Sequence, residues 1–133
     1  MVYDMSARNV PTPETRRINF AAPSALNTEV LGNDSQTGQG FTLVGSQNMI
    51  MRAIVNLSAT DVTGDLILKR DGKEVRRWPS SLLLSSQQGP VFPGFPLTVR
   101  PGQIQFYFEQ SAGTAAAQSV DLVWARSLIV VTS

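Results

Sequence analysis

Carboxylates are the side chains of this sequence best suited to act as acids, bases or metal ligands. The 133 residues include no histidine and no cysteine, which removes the commonest general base, zinc ligand and thiol nucleophile. Asp61 and Asp65 flank Gly64 in one turn, and two carboxylates in a loop are the kind of ligand that Ca²⁺ prefers. The segment lacks the aspartate spacing of a calcium loop, however, and Asp and Gly are ordinary turn residues. We therefore expect no bound metal and no cofactor.

A pair of carboxylates across a cleft is the other route to hydrolysis that the residues allow. Glu109 and Asp121 are candidates for neighbouring strands, from which they could face a sugar across roughly 5–9 Å. Acidic residues on exposed strands are usually only solvated. No nucleophilic serine motif, phosphate-binding loop or dinucleotide fingerprint accompanies them. We expect no catalytic residue and no enzymatic activity.

The elements that must position these side chains are strands. Apolar and polar residues alternate in segments such as 48–58 and 103–110, which is the period of a half-buried strand. Asp71-Gly72 between two such runs predicts a tight hairpin, because Gly adopts positive φ at little cost. Residues 80–86 fit either a short strand or a helical turn. About seven or eight short strands with no sustained helical period predict an all-β fold, an antiparallel β-sandwich. A jelly roll fits this pattern better than the alternative, an immunoglobulin-like sandwich, whose Cys…Trp…Cys pattern is absent.

The first 40 residues have a different texture, with prolines, glycines and isolated apolar residues. We predict two units: an extended N-terminal arm at 1–40 and a β-sandwich domain at 41–133. Such an arm cannot bury enough surface to fold alone, and it becomes ordered by lying on the body or on a neighbouring subunit. The alternative is a loose tail with one edge strand near Arg17–Ala21. The arm interpretation implies that removing residues 1–40 leaves a folded domain.

Alternation also predicts which side chains form the core. The in-facing set comprises Met49, Met51, Val55, Leu57, Leu66, Leu68, Val75, Trp78, Leu97, Val99, Ile104, Phe106, Phe108, Val120, Leu122 and Trp124. Apolar residues also occupy the opposite faces, at Ile50, Ile54, Ile67, Val123, Ile129 and Val131. Strands that are apolar on both faces are covered on both sides. The second cover predicted here is the arm or another copy of the chain.

The cations suggest contact with a protein. Nine arginines accompany only two lysines, and protein interfaces are enriched in arginine. Residues 69–77 carry a local charge of +3, which would suit an acidic protein surface, although hairpin tips are often charged simply because they are solvated. The candidate partner-binding residues are Arg16, Arg17 and Phe20 in the arm, Lys69, Arg70, Lys73, Arg76 and Arg77 in the hairpin, and Phe92 and Phe95 in a proline-rich loop.

Charge and hydropathy argue against nucleic acid and membranes as partners. A net charge of +1 gives no electrostatic basis for binding nucleic acid. No apolar run approaches the roughly 20 residues needed to span a bilayer, so no membrane partner is expected. The first residues contain no apolar targeting segment, and we expect synthesis in a cytoplasm.

Two stretches carry a resemblance to a known class. Residues 68–75 (LKRDGKEV) and 97–104 (LTVRPGQI), together with the proline- and glycine-rich start, resemble small structural proteins of bacteriophages and related viruses. These are capsid decoration (cement) proteins and single jelly-roll minor capsid proteins. The resemblance implies a virion protein made in the host cytoplasm, a homo-oligomer with a trimer favoured, and contacts with the major capsid protein or other virion proteins.

Two alternatives remain open from the sequence. A carbohydrate-binding or adhesin module could use Trp78, Trp124, Tyr107 and Phe92 as a platform for stacking sugars. A tail, baseplate or head–tail connector component is the second alternative.

Overall fold

The computed structural model describes residues 13–34, 47–84, 90–91 and 94–128, with no side-chain placement for residues 13, 47 and 126–128. These residues form nine strands and one 3-10 turn at Ser80–Leu82. The strands are β1 (Pro13–Phe20), β2 (Glu29–Leu31), β3 (Asn33–Asp34), β4 (Gln47–Asn56), β5 (Thr63–Arg70), β6 (Lys73–Pro79), β7 (Leu97–Val99), β8 (Ile104–Ala112) and β9 (Gln118–Leu128). Within these ranges, no helix has the length and hydropathy to cross a bilayer.

The strands build two antiparallel sheets that pack face to face. One has the order β3-β1-β9-β4-β7, and the other has the order β2-β8-β5-β6. The chain order is that of one long hairpin, because β1 pairs with β9, β2 with β8, β4 with β7 and β5 with β6. Rolling such nested pairs into two sheets gives a jelly roll, and β3 adds a short strand at one edge. The predicted fold class is confirmed.

The tightest turn of this nested hairpin lies between β5 and β6. Asp71 and Gly72 have φ angles of 52° and 80°, so both occupy the left-handed region that a two-residue hairpin turn requires. Asp71 also accepts a hydrogen bond from the Gln103 backbone N–H at 3.0 Å, which ties the turn to the start of β8. The Asp-Gly prediction is confirmed. The ambiguous residues after β6 begin with the 3-10 turn.

The core lies between the two sheets and follows the alternation closely. Twelve of the predicted residues are buried there: Met49, Met51, Leu66, Leu68, Trp78, Val99, Ile104, Phe106, Phe108, Val120, Leu122 and Trp124. Leu97 is partly buried against this cluster. The core also includes residues that the prediction omitted, namely Ile18, Phe20, Ile54 and Leu83.

The core prediction was wrong at Val55, Leu57 and Val75, and two β-bulges explain why. On β4, Met51 pairs with Trp124 and Ala53 with Val123, so Arg52 is an extra residue. Beyond it the faces exchange, which turns Ile54 into the core and puts Val55 and Leu57 outside.

A second bulge acts in the same way on β6. Leu68 pairs with Arg76 and Lys69 with Glu74, which leaves Val75 as the extra residue. Val75 is consequently 41% exposed rather than buried. A one-residue insertion is invisible to an alternation rule, because each half of the strand still alternates correctly.

Residues 13–34, which the sequence assigned to the arm, are part of the sandwich. β1 pairs with β9 over eight residues, and it lies inside its sheet between β3 and β9. Ile18 and Phe20 are buried at 0% and 2% exposure. Gly32 passes so close to them that an added Cβ would overlap both side chains. The boundary after residue 40 therefore does not fit this fold, and residues 1–12 and 35–40 of the expected arm lie outside the described residues.

Candidate interaction surfaces

The basic hairpin lies in the four-stranded sheet, where neighbouring strands bring carboxylates to it. Glu29 on β2, Glu109 on β8 and Asp65 on β5 occupy one row across three strands. Like charges directly opposite each other destabilise a sheet unless cations lie between them. Lys69 and Arg77 are the cations that approach this row.

Lys69 is held by an acid and an aromatic ring. Its Nζ donates a hydrogen bond to Glu29 Oε1 at 2.6 Å and lies 4.6 Å from the centre of the Tyr107 ring. The hydrogen bond to Glu29 raises the pKa of Lys69 above its ordinary value, although desolvation opposes the shift. The charge of Lys69 is therefore compensated within its own sheet.

Arg77 forms the centre of a larger network. It lies 2.9 Å from both Asp65 and Glu74 and 3.5 Å from Glu109. Hydrogen bonds to Glu74 and then Asp65 hold the pKa of Arg77 above its ordinary range. Ile67, which pairs with Arg77 on one side and Tyr107 on the other, is completely buried on this outer face. Neighbouring side chains of the same sheet therefore cover Ile67, and not the arm or another copy as predicted.

The charge of the hairpin changes once the fold is complete. Three carboxylates from outside residues 69–77, namely Glu29, Asp65 and Glu109, cancel the local +3 that these residues carry in sequence. Arg70 donates to the Pro101 carbonyl at 2.9 Å.

The other two cations of the hairpin differ from Lys69, Arg70 and Arg77. Lys73 is exposed, and Arg76 reaches over Gly94. Among the described residues, neither makes an ion pair with a carboxylate. Of the five predicted contact residues in the hairpin, these two keep a charge available to a partner.

The arginines of β1 also have partners within the chain. Arg16 lies 3.1 Å from Asp34 on β3, whose side chain is 3% exposed, and its guanidinium lies 5.9 Å from the centre of the Trp124 ring. Arg17 is on the outer face, where its Nε donates to Asp121 at 3.0 Å. That hydrogen bond raises the pKa of Arg17. Arg16 supports the fold, whereas the Arg17–Asp121 pair remains at the surface.

The three phenylalanines that were predicted to contact partners lie in different environments. Phe20 is in the core, 5.9 Å from the Phe108 ring, so it cannot contact a partner and that prediction was wrong. Phe95 is half-buried, and its ring packs edge-on against Trp78 at 5.7 Å. Phe92 lies outside the described residues.

The carboxylate pairs do not form a catalytic or metal-binding arrangement. Asp61 accepts a hydrogen bond from Asn56 Nδ2 at 3.2 Å, and Asp65 is bound by Arg77. Glu109 lies on the outer face of the four-stranded sheet, whereas Asp121 lies on the outer face of the other sheet. They point away from each other across the whole sandwich and cannot share a cleft. Among the side chains that the structure describes, no three acidic residues converge to hold a metal ion.

An open groove of about 370 Å³ lies at one end of the sandwich, between the start of β5 and the 3-10 turn. Its polar groups already serve the backbone. Ser80 Oγ accepts a hydrogen bond from the Gly64 N–H at 3.0 Å, and Ser111 Oγ donates to the Thr63 carbonyl at 3.3 Å. The groove therefore joins strand ends, and both of these serines are bound to the backbone.

The outer face of the five-stranded sheet carries apolar residues that the sequence predicted only in part. It divides into a polar half on β1, with Thr15, Arg17 and Asn19, and an apolar half on β4 and β9. We call the apolar half the β4 stripe, and its members are Ile50, Ala53, Val55, Leu57, Val123 and Ala125.

The sequence contained part of the signal for this stripe. Ile50 and Val123 were already assigned to a face away from the core. Val55 and Leu57 were missed, since only the bulge at Arg52 turns them outward.

Comparisons with known protein families, characterised proteins and solved structures find no match to this chain.

Proposed function

We propose that this protein is a structural component of a virus particle, and specifically a capsid decoration or minor capsid protein that stabilises the shell. The observation that carries the proposal is the nested-hairpin jelly roll, with its sheets ordered β3-β1-β9-β4-β7 and β2-β8-β5-β6. Jelly rolls recur in viral capsid proteins and in lectins. The same fold serves several functions in other proteins, so the shared fold supports the capsid role by analogy.

The surfaces favour protein contact over sugar binding. Trp78 and Trp124 are 2% and 0% exposed, so neither can stack on a sugar ring. Tyr107 is half-buried, and the ammonium group of Lys69 lies over its ring. Phe92 lies outside the described residues. Lectins bind through exposed aromatic and polar groups, and this chain instead presents the β4 stripe, which suits a protein neighbour.

The proposed mechanism is mechanical. A domain of this kind reinforces a shell by many contacts of modest strength, which act together because every copy is held in the same lattice. Glu109 and Asp121 then serve as surface carboxylates on opposite faces, without a catalytic role. A tail, baseplate or connector position would use the same properties, and the location of the protein in the particle separates these possibilities.

Co-sedimentation with virus particles tests the proposal. Virus particles are first stripped of their accessory proteins and then mixed with the purified chain. The mixture is centrifuged beside a control that contains the chain without particles. We expect saturable binding at a fixed ratio to the major shell protein. A chain that stays in the supernatant while it binds glycans on an array would overturn the proposal in favour of a carbohydrate-binding module.

A further inference from the structure

We propose that the outer face of β4 and β7 binds an acidic, extended segment of a neighbouring protein, whose carboxylates pair with Arg52 and Arg100. We call this surface the β4–β7 face, and its members are Ile50, Arg52, Val55, Thr98 and Arg100. Both arginines are exposed, and neither makes an ion pair among the described residues. Their charges are therefore available to a partner.

The charge of this side of the sandwich selects the sign of the partner. Among the described residues on the outer face of the five-stranded sheet, Asp121 is the only carboxylate, and Arg17 binds it at 3.0 Å. Arg52 and Arg100 therefore leave the described part of this outer face with a net charge of +2. An acidic segment is attracted to such a surface, whereas a second copy of the same face is repelled.

The register of the strands gives the distance between the two arginines. Val99 pairs with Met49, so Arg100 lies level with Asn48 when the pairing is continued by one residue. Arg52, the bulge residue, follows four positions further along β4. At about 3.3 Å per residue, the two arginines are roughly 10–13 Å apart along the strand direction. Carboxylates at positions i and i+4 of an extended segment have nearly this spacing, and they lie on one side of the segment.

Apolar side chains occupy the rows between and beyond the arginines. Ile50 lies between them, half-buried and beside the exposed Thr98 of β7. Val55 is also half-buried, and it lies beyond Arg52, level with Asp121 of β9. Apolar residues at i+2 and i+6 of the same extended segment would contact Ile50 and Val55, because alternate side chains share a face. The surface therefore fits an acidic and apolar alternation, with acids at i and i+4.

The small size of the β4–β7 face favours a single segment over a folded surface. Two strands about 4.8 Å apart support one extended chain that lies along them. Such a contact is far smaller than a standard interface, so we expect a dissociation constant on the order of 0.1–1 mM. Many copies held in one shell convert weak contacts of this kind into a stable attachment.

The residues between the arginines favour a peptide over a nucleic acid. Proteins bind single strands where the bases can stack on aromatic rings between the cations. Ile50 and Thr98 lie between Arg52 and Arg100 and provide no ring. An aliphatic side chain of a peptide, by contrast, gains free energy when it covers Ile50.

This inference rests on the proposed function only in taking the neighbouring protein to be a shell protein, and its test needs no particles. If particles bind the chain and the acidic peptide described below does not, the proposed function stands and the inference fails. If the peptide binds and particles do not, the inference stands and the proposed function fails.

NMR titration of the full chain with a synthetic peptide is the first measurement. The probe is Glu-Thr-Leu-Thr-Glu-Thr-Leu with both ends blocked, which places its acids at i and i+4. We expect saturable methyl shifts at Ile50 and Val55 and none at Val75, which lies in the other sheet. Binding should weaken as salt screens the charges. A peptide with adjacent acids, Glu-Glu-Leu-Thr-Thr-Thr-Leu, should bind at least about threefold more weakly.

Charge reversal then assigns the contact to the two arginines. Arg52→Glu and Arg100→Glu should each weaken binding of the probe by about fivefold to tenfold. Lys73→Glu is the matched control, since Lys73 is exposed and makes no ion pair among the described residues. It should change the affinity by less than about twofold. The double variant at Arg52 and Arg100 should instead bind a peptide that has Lys in place of both Glu, which also shows that it is folded.

Four results would overturn the proposal. One is the absence of shifts with the probe at about 5 mM, well above the expected dissociation constant. Equal affinity for the two acidic peptides would contradict the spacing of the arginines. An equal loss of affinity in Lys73→Glu would show that only the total charge matters. Tighter binding of a short oligothymidylate, with the same shifts, would assign the face to nucleic acid.

Discussion

At the scale of single residues, the ion pairs of the four-stranded sheet determine what its outer face can do. Lys69 and Arg77 looked in sequence like charges offered to a partner. In the fold they compensate a row of carboxylates that three different strands contribute. A charge count along the chain could not reveal this, because Glu29 lies 40 residues before Lys69 and Glu109 lies 32 residues after Arg77.

The Lys69–Glu29 pair leads to a prediction about alkaline pH. Folding raises the pKa of Lys69 above its ordinary value of 10.5, mainly through the hydrogen bond to Glu29, with Tyr107 and Glu74 also contributing. Stability from this group is therefore fully present below pH 10.5 and is lost as pH rises through the folded-state pKa. We expect Lys69→Met to cost about 0.5–1 kcal/mol at pH 9.5 and less at pH 11.5 in urea unfolding.

The matched control for this prediction is Lys73→Met, which removes an exposed lysine of the same hairpin. It should change the free energy of unfolding by less than about 0.5 kcal/mol at either pH. A cost for Lys69→Met that stays constant from pH 9.5 to pH 11.5 would contradict the assigned role of the ion pair.

Gly64 leads to a second prediction at this scale. It lies at the bulge between β5 and β8, and an added Cβ would collide with the Glu109 carbonyl oxygen, which belongs to the backbone and cannot rotate away. We expect Gly64→Ala to reduce the free energy of unfolding by about 1–3 kcal/mol. Thr63→Ala, at the exposed neighbouring position, should stay within about 0.5 kcal/mol. Equal stability of the two variants would show that the strands can separate at this point.

At the scale of strands, sequence reasoning succeeded where alternation is unbroken and failed where it is interrupted. Along β8, Ile104, Phe106 and Phe108 all face the core as predicted. Along β4, one extra residue at Arg52 reverses the assignment of every position that follows. Val55 and Leu57 could not be assigned to the β4 stripe for that reason, since a bulge depends on pairing with β9, which lies about 70 residues further along the chain.

The bulge predicts an unequal outcome for two single-residue deletions. Removing Arg52 restores regular alternation and keeps Ile54 in the core with Val55 outside. Removing Val55 also restores regular pairing, but it turns Ile54 toward solvent. We expect deletion of Arg52 to cost less than about 1 kcal/mol, and deletion of Val55 to cost about 2–4 kcal/mol, as measured by urea unfolding. Equal costs for the two deletions would mean that β4 does not sort its faces in this way.

At the scale of the whole molecule, residues 13–34 belong to the folded sandwich. Their prolines, glycines and scattered apolar residues suggested an arm, because no single stretch of them could fold alone. Ile18 and Phe20 are nevertheless core residues, and β1 closes the outermost pair of the nested hairpin with β9. The composition of a segment does not reveal that its pairing partner lies about 100 residues away.

Truncation tests this view of the early residues. Removing residues 1–12 should leave the thermal unfolding transition cooperative, since every described strand remains. Removing residues 1–20 deletes β1, exposes one side of β9 and takes two buried side chains from the core, so we expect loss of the folded state. Circular dichroism during heating measures both effects. A cooperative transition in the shorter chain would support the original boundary after residue 40.

The orientation of the domain on its particle tests the central claim most directly. In an electron cryomicroscopy reconstruction of particles saturated with the chain, we expect density for the jelly roll on the shell. The outer face of the five-stranded sheet should lie against protein, with the ion-paired face of the four-stranded sheet toward solvent. Particles without this density, or a jelly roll whose β4 stripe faces open solvent, would contradict the account.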